Sequence, residues 1–311
     1  MRRGTKVVWM LVLVLLIVAN LALLFLLFRP DRDLAVRPVD RDSGDGRSPT
    51  ATSPPGPDLS ADPTPSPRPI ESVPVERLLF AASSKTAWRA TIGDCNTPGQ
   101  IERSTNGGAS WKAIVRMGPA PVVTLGADPS GDLFTIGGRR GSCAVRYAAY
   151  ANDGTLTASA TSVDGMWFPS PSNLDEINGP SGTAATPCNG HVIGLAPFNL
   201  TQALAVCDNG DAINTHNSGE TWRRAGRIPN TLAVAAGSGR YWVAGVREDC
   251  DGVAVQSLTD KNGSLTRGRA RCAPDLDVAG GQVAMDVTDS TIWLWIGNKT
   301  AISTDNGDTW K

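Results

Sequence analysis

Three stretches of this chain share one pattern, S/T-x-D/N-x-G-x-S/T-W: "STNGGASW" (Ser104 to Trp111), "THNSGETW" (Thr215 to Trp222) and "STDNGDTW" (Ser303 to Trp310). Each pairs turn-forming residues with a large apolar side chain. The hydroxyl and carboxylate oxygens accept from backbone N–H groups, and glycine takes positive φ without strain. Two looser hairpins lie between them, "YANDGTLT" (Tyr150 to Thr157) and "SLTDKNGSL" (Ser257 to Leu265). The turn glycines Gly108, Gly154, Gly219, Gly263 and Gly307 are separated by 46, 65, 44 and 44 residues. A period near 44 accommodates four short strands, and each period reads that way. The last runs "QVAMDVTD", "STIWLWIG", "TAISTDNG" and a "DTWK" stub. Beyond the N-terminal apolar run, no window sustains a 3.6-residue period.

The triplicated string resembles the Asp-box, or BNR repeat, of sialidase-like β-propellers. That resemblance implies an all-β propeller of about five four-stranded blades. In the family the box is the turn between the third and fourth strands, away from the ligand face. Ser104, Asn106, Gly108 and Trp111, with Thr215, Asn217, Gly219 and Trp222, and Ser303, Asp305, Gly307 and Trp310, are therefore structural residues. Asparagine in two copies suits turn capping and not acid catalysis. Because the chain stops inside the fourth strand of its last blade, "ESVPVERLL" (Glu71 to Leu79) is the candidate for completing it.

Residues 7–28 carry no charge over 22 positions, enough at about 1.5 Å per residue to cross a hydrocarbon core of about 30 Å. The run exceeds a signal-peptide core and lacks its small-residue cleavage site, so it reads as an uncleaved anchor. Arg2, Arg3 and Lys6 in residues 1–6 place the N-terminus in the cytoplasm. The expectation is a single-pass plasma-membrane protein with its C-terminal domain extracytoplasmic. Residues 29–74, rich in Pro, Ser, Thr and Asp, form a disordered linker or stalk. Residues 75–311 form the propeller. All six cysteines (Cys95, Cys143, Cys188, Cys207, Cys250 and Cys272) follow the anchor without zinc spacing, which reads as disulfides made in an oxidising compartment.

Placed on the propeller implied by the resemblance, all six cysteines fall on the face opposite the boxes. Proximity favours Cys95 with Cys143, Cys188 with Cys207 and Cys250 with Cys272, among the 15 connectivities that six cysteines allow. About twenty extra residues also fall there, in Ser162 to Gly190, and within this long loop (169–190) the stretch from Asn173 to Thr186 is the candidate surface. Trp167 and Phe168 are either docking anchors or a blade strand. Arg139, Arg140, Arg247 and Glu248 are candidate binding charges, set against ordinary solvated loops. "DCDG" (Asp249 to Gly252) lacks the alternating oxygen ligands of a calcium loop, so no metal and no cofactor is expected.

A formal net charge of -1, with no basic stripe, excludes strong nucleic-acid steering. The resemblance raises a sialidase-like exo-glycosidase, which needs an arginine triad, a tyrosine paired with glutamate, and an acid/base aspartate. "GRIP" (Gly226 to Pro229) resembles the family's Arg-Ile-Pro motif but follows a box where the family places it ahead of the first. Only Tyr147, Tyr150 and Tyr241 exist as nucleophiles, and five blades differ from a sialidase's six. His191 and His216 offer little to a serine or cysteine triad. The expected function is a non-catalytic interaction scaffold or receptor for an envelope or extracellular protein, with a glycan-binding module as the alternative.

Overall fold

The computed structural model describes residues 72–115, 118–128, 130–274 and 278–311. The apolar run at 7–28 and the linker up to residue 71 lie outside them. None of the described residues is helical. The strands form six antiparallel sheets arranged as blades around a central channel, each strand pairing with the next in sequence.

Blade 1 comprises β1 (Arg77–Ala81), β2 (Ala87–Thr91), β3 (Ile101–Ser104) and β4 (Lys112–Val115). Blade 2 comprises β5 (Val122–Ala127), β6 (Leu133–Gly138), β7 (Val145–Tyr150) and β8 (Leu156–Ala160). Blade 3 has three short strands, β9 (Phe168–Ser170), β10 (Asn173–Asn178) and β11 (Ala184–Ala185). Blade 4 comprises β12 (Val192–Pro197), β13 (Ala203–Cys207), β14 (Asp211–Thr215) and β15 (Arg223–Arg227). Blade 5 comprises β16 (Thr231–Gly237), β17 (Arg240–Gly245), β18 (Gly252–Lys261) and β19 (Ser264–Pro274). Blade 6 comprises β20 (Val283–Thr288), β21 (Thr291–Ile296) and β22 (Lys299–Ser303). Lys311 adds a fourth-strand stub by exchanging two backbone hydrogen bonds with Ile302, at 3.0 and 2.9 Å.

The expectation of about five blades is corrected to six. Blade 3 occupies the stretch read as an insertion, and the candidate loop from Asn173 to Thr186 holds its strands β10 and β11. It has no outer fourth strand, and hence no turn glycine to mark it in the period. The closure expectation is also corrected. β1 is the innermost strand of blade 1 and does not complete blade 6.

The ring closes through side chains and a few bridging backbone bonds. Asp286 Oδ2 on β20 accepts from Ala81 N on β1 at 2.7 Å. Trp293 Nε1 donates to Ser83 O at 3.0 Å. A stack of alternating rings and guanidinium groups fills the seam. Arg89 lies 4.3 Å from the Trp111 ring centroid and 4.6 Å from that of Trp295. Arg77 covers Trp295 at 4.4 Å and donates to Gly297 O. The chain ahead of β1 reaches blades 5 and 6, with Ser72 Oγ donating to Thr231 O at 3.1 Å and Glu76 N to Gly281 O at 2.9 Å.

The core lies between sheets. In β21 all six residues are buried, because a middle strand is covered on both faces by neighbouring blades. "TIWLWI" therefore reads as a continuous apolar run, not an alternating one.

The three tryptophan turns share one geometry. The first residue's hydroxyl accepts from the glycine N–H at 2.9, 3.2 and 2.7 Å, at Ser104, Thr215 and Ser303. The third residue's oxygen accepts from the N–H of Ser110, Thr221 and Thr309 at 3.0, 3.0 and 2.8 Å. Residues four and five have positive φ, for example Asn306 at 59° and Gly307 at 93°. Trp111 packs edge-on against Trp293, and Trp222 against Trp167, at 6.2 and 5.9 Å between centroids. Each of these two tryptophans thereby ties its blade to the preceding one.

Candidate functional site

The tryptophan turns and the hairpins joining first to second strands emerge at one end of the ring. The loops joining second to third strands emerge at the other, with the connections between blades. All six cysteines lie at this second end, and they pair as proximity favoured. Cys95–Cys143 joins blades 1 and 2, with Cα atoms 5.1 Å apart. Cys188–Cys207 ties the entry to blade 4 to the end of β13, and Cys250–Cys272 ties the β17–β18 loop to β19, each at 5.6 Å.

The candidate binding residues do not converge. Trp167 and Phe168 are 6% and 5% exposed. Trp167 Nε1 donates to Asn199 O at 2.8 Å, and Phe168 packs with Val123 and Ile136. Burial takes both off the surface and resolves the pair as blade packing. Arg139 and Arg140 are exposed on the β6–β7 loop. There Arg140 Nε donates to Asn96 O at 3.0 Å, and Gly141 N to Cys95 O at 2.7 Å, so this loop is stitched to its neighbour as well as disulfide-linked. Arg247 and Glu248 are exposed on blade 5, three blades away.

Arg247 and Glu248 line a hollow of about 380 Å³ between blades 4 and 5. Arg247 holds Asp249 with two hydrogen bonds, at 2.8 and 3.1 Å, which raises its own pKa and keeps the carboxyl below its ordinary range. The opposite wall is Ile228 to Thr231, and β18 and β19 contribute Gln256 and Arg267. Neither of those two was legible as a site residue, since each occupies an ordinary strand position. The hollow offers charged groups of both signs, from Arg247 and Arg267 and from Glu248 and Asp249.

The central channel, of about 240 Å³, is lined mainly by the innermost strands and is apolar apart from Asp286, Arg77 and Thr124. Asp286 as a residue is half-buried, but its carboxyl is enclosed, and desolvation pushes it up to about 7. Burial raises the pKa of Tyr147, Tyr150 and Tyr241, and Tyr241 is 3% exposed. Among the described residues no group of three or more His, Cys, Asp or Glu side chains is placed to hold a metal.

No family model matches the chain, and no curated relative matches it. Solved structures of remote identity do. A functionally unknown protein from Desulfotomaculum acetoxidans is 10% identical, with a TM-score of 0.43 over 75% of this chain and 83% of that one. The Aleuria aurantia lectin, a six-bladed β-propeller with a novel fucose recognition mode, is 12% identical, with a TM-score of 0.45 over 78% and 96%. YCF48 bound to a D1 peptide is 11% identical, with a TM-score of 0.29 over 78% and 69%.

Proposed function

We propose that this chain is a membrane-anchored, extracytoplasmic propeller of the Asp-box type that acts as a non-catalytic protein-interaction scaffold. One observation carries the reading: three disulfides lie at one end of the ring and pin the loops that emerge there. Loops held in place before binding lose less conformational freedom when a partner docks. The cysteines also favour an oxidising compartment, which agrees with the orientation set by Arg2, Arg3 and Lys6 around the apolar run at 7–28.

A sialidase-like activity is the competing reading. Six blades remove the difference in blade count that separated this chain from those enzymes. The non-catalytic reading therefore rests on residues: the tyrosines are disfavoured as nucleophiles by burial, and the Arg-Ile-Pro string lies in and after β15.

The test places a photo-crosslinking residue at Glu248, at Arg140 or, as a control, at Leu156 on β8, in the full-length protein in its own cells. A discrete protein adduct from the first two positions alone supports the scaffold, and mass spectrometry then identifies the partner. Absence of adducts from both would overturn it. Hydrolysis of a fluorogenic sialoside by the purified protein would overturn the non-catalytic assignment.

A further inference from the structure

At the end of the ring opposite the disulfides, a cleft of about 720 Å³ opens between blades 4 and 5. Its floor is a network drawn from three separate segments. Asp260 accepts from Gly263 N at 2.8 Å through one oxygen and from Asn214 Nδ2 at 2.7 Å through the other. His216 Nε2 lies 3.0 Å from that second oxygen, and Gln202 Nε2 lies 3.2 Å from His216 Nδ1. With Nε2–H donating to Asp260 and Nδ1 accepting from Gln202, a tautomer assigned from this network, both ring nitrogens and both carboxylate oxygens are satisfied. The imidazole is fixed in place, and the one carboxylate of the floor is already occupied.

His216 is the second residue of its tryptophan turn, where the other two copies carry Thr105 and Thr304. The turn's side-chain bonds use residues one, three, five and seven. Position two is free of the turn's requirements, and here it serves the cleft.

The walls carry different chemistry. Arg223 and Arg240 line the cleft and are exposed. Among the described residues neither has a carboxylate partner within 4.0 Å. Phe198 is 37% exposed and rests on Tyr241 with ring centroids 5.5 Å apart. Leu200, two residues along the same β12–β13 loop and outside the lining of the cleft, is 67% exposed. Of three large hydrophobic residues exposed among the described residues, two are therefore in this one loop.

We propose that this cleft binds an acidic peptide segment of a partner protein, its carboxylates held by Arg223 and Arg240 and a neighbouring apolar side chain laid on Phe198 and Leu200. Unpaired guanidinium groups form strong, charge-assisted hydrogen bonds with carboxylates. Arginine beside exposed aromatic surface is the composition of binding hot spots. Phe198 and Leu200 together expose apolar area that a hydrophobic peptide side chain covers and a charged sugar does not, which favours a peptide over an acidic glycan. The proposal concerns the other end of the ring and does not rest on the scaffold reading of the disulfide-pinned loops.

The test pans phage-displayed random dodecapeptides on the full-length chain, purified in detergent and immobilised. Enriched sequences should combine Asp or Glu with Leu, Phe or a similar apolar residue. Fluorescein-labelled copies should bind about tenfold or more weakly to R223E/R240E, as loss of charge-assisted hydrogen bonds implies. They should lose affinity for F198S/L200S as well, and weaken with rising salt. All four positions are at the surface, and an unchanged Tm verifies that the variants fold. No enrichment over the bare support, or binding undiminished by both double variants, would overturn the proposal. Binding lost with E248Q alone would move the peptide site to the pinned loops, sparing the scaffold reading and sinking this one. A heparin fragment whose binding is lost in R223E/R240E, with no peptide enriched, would reassign the cleft to an acidic glycan.

Discussion

At the scale of single residues, the tryptophan turns depend on a buried hydroxyl. Ser303 is 1% exposed, and its oxygen both accepts from Gly307 N–H and donates to Asp305. Ser303→Ala leaves the glycine N–H without a partner and is expected to cost about 1–3 kcal/mol, read from denaturant midpoints at constant slope. Asp305 is held down to about 2, first by the Thr309 side chain and then by the Thr309 N–H and Ser303. Its contribution is present above the unfolded value of 3.8 and is lost as pH falls through about 2. At the seam, Arg89 lies between two indole rings while pairing with Glu102 at 2.6 Å. Arg89→Leu should destabilise by about 2 kcal/mol or more, because it removes two cation–π contacts and strands a partly buried carboxylate. Arg89→Lys should recover only part of that, since an ammonium does not lie flat between rings. Thermal unfolding of the two variants side by side checks the order.

At the scale of elements, legibility followed repetition. The five turn glycines mark blades 1, 2, 4, 5 and 6 because each has a third-to-fourth-strand turn. Blade 3 was hidden because β11 has two residues and runs on toward Cys188 with no such turn. Its residues showed only as an irregular separation of 65. Trp167 was ambiguous for a related reason: a tryptophan beside proline and glycine turns reads equally well as an exposed loop or a buried strand start. The cleft between blades 4 and 5 was illegible altogether. Gln202, His216, Tyr241 and Asp260 come from four different elements or turns, and only the register of two blades brings them together. The cysteine pairing was legible once the blades were laid out. Removing the 48-residue link with C95S/C143S should cost about 2–4 kcal/mol, measured by thermal unfolding against the parent with its disulfides intact.

At the scale of the molecule, stability depends on a seam that contains an acid. The carboxyl of Asp286 stays protonated up to about 7 in the folded ring but ionises near 3.8 when the chain is unfolded. Between those values the folded state binds the extra proton, so this group makes stability fall as pH rises, with no further change above about 7. Asp286→Asn removes that penalty and can still accept from Ala81 N–H. The variant should gain on its parent from pH 4 to 7 and lead at pH 8, by an amount on the order of 4 kcal/mol at most. The difference between the two proteins is the quantity to measure, since Asp305, Asp94 and Asp128 shift the other way.

The same seam has a cost in time. The two residues of its Ala81–Asp286 bond lie 205 positions apart, and those of the Trp293–Ser83 bond 210. At about 5–20 residues per second, a ribosome finishes the first blade roughly 10–40 s before it makes the last. Through that interval the flank of blade 1, with Leu79, Ala81 and Trp111, has no neighbour to cover it. A nascent chain of this design carries an adhesive edge for most of its synthesis, and its yield in the cell should depend on what shields that edge until the sixth blade arrives.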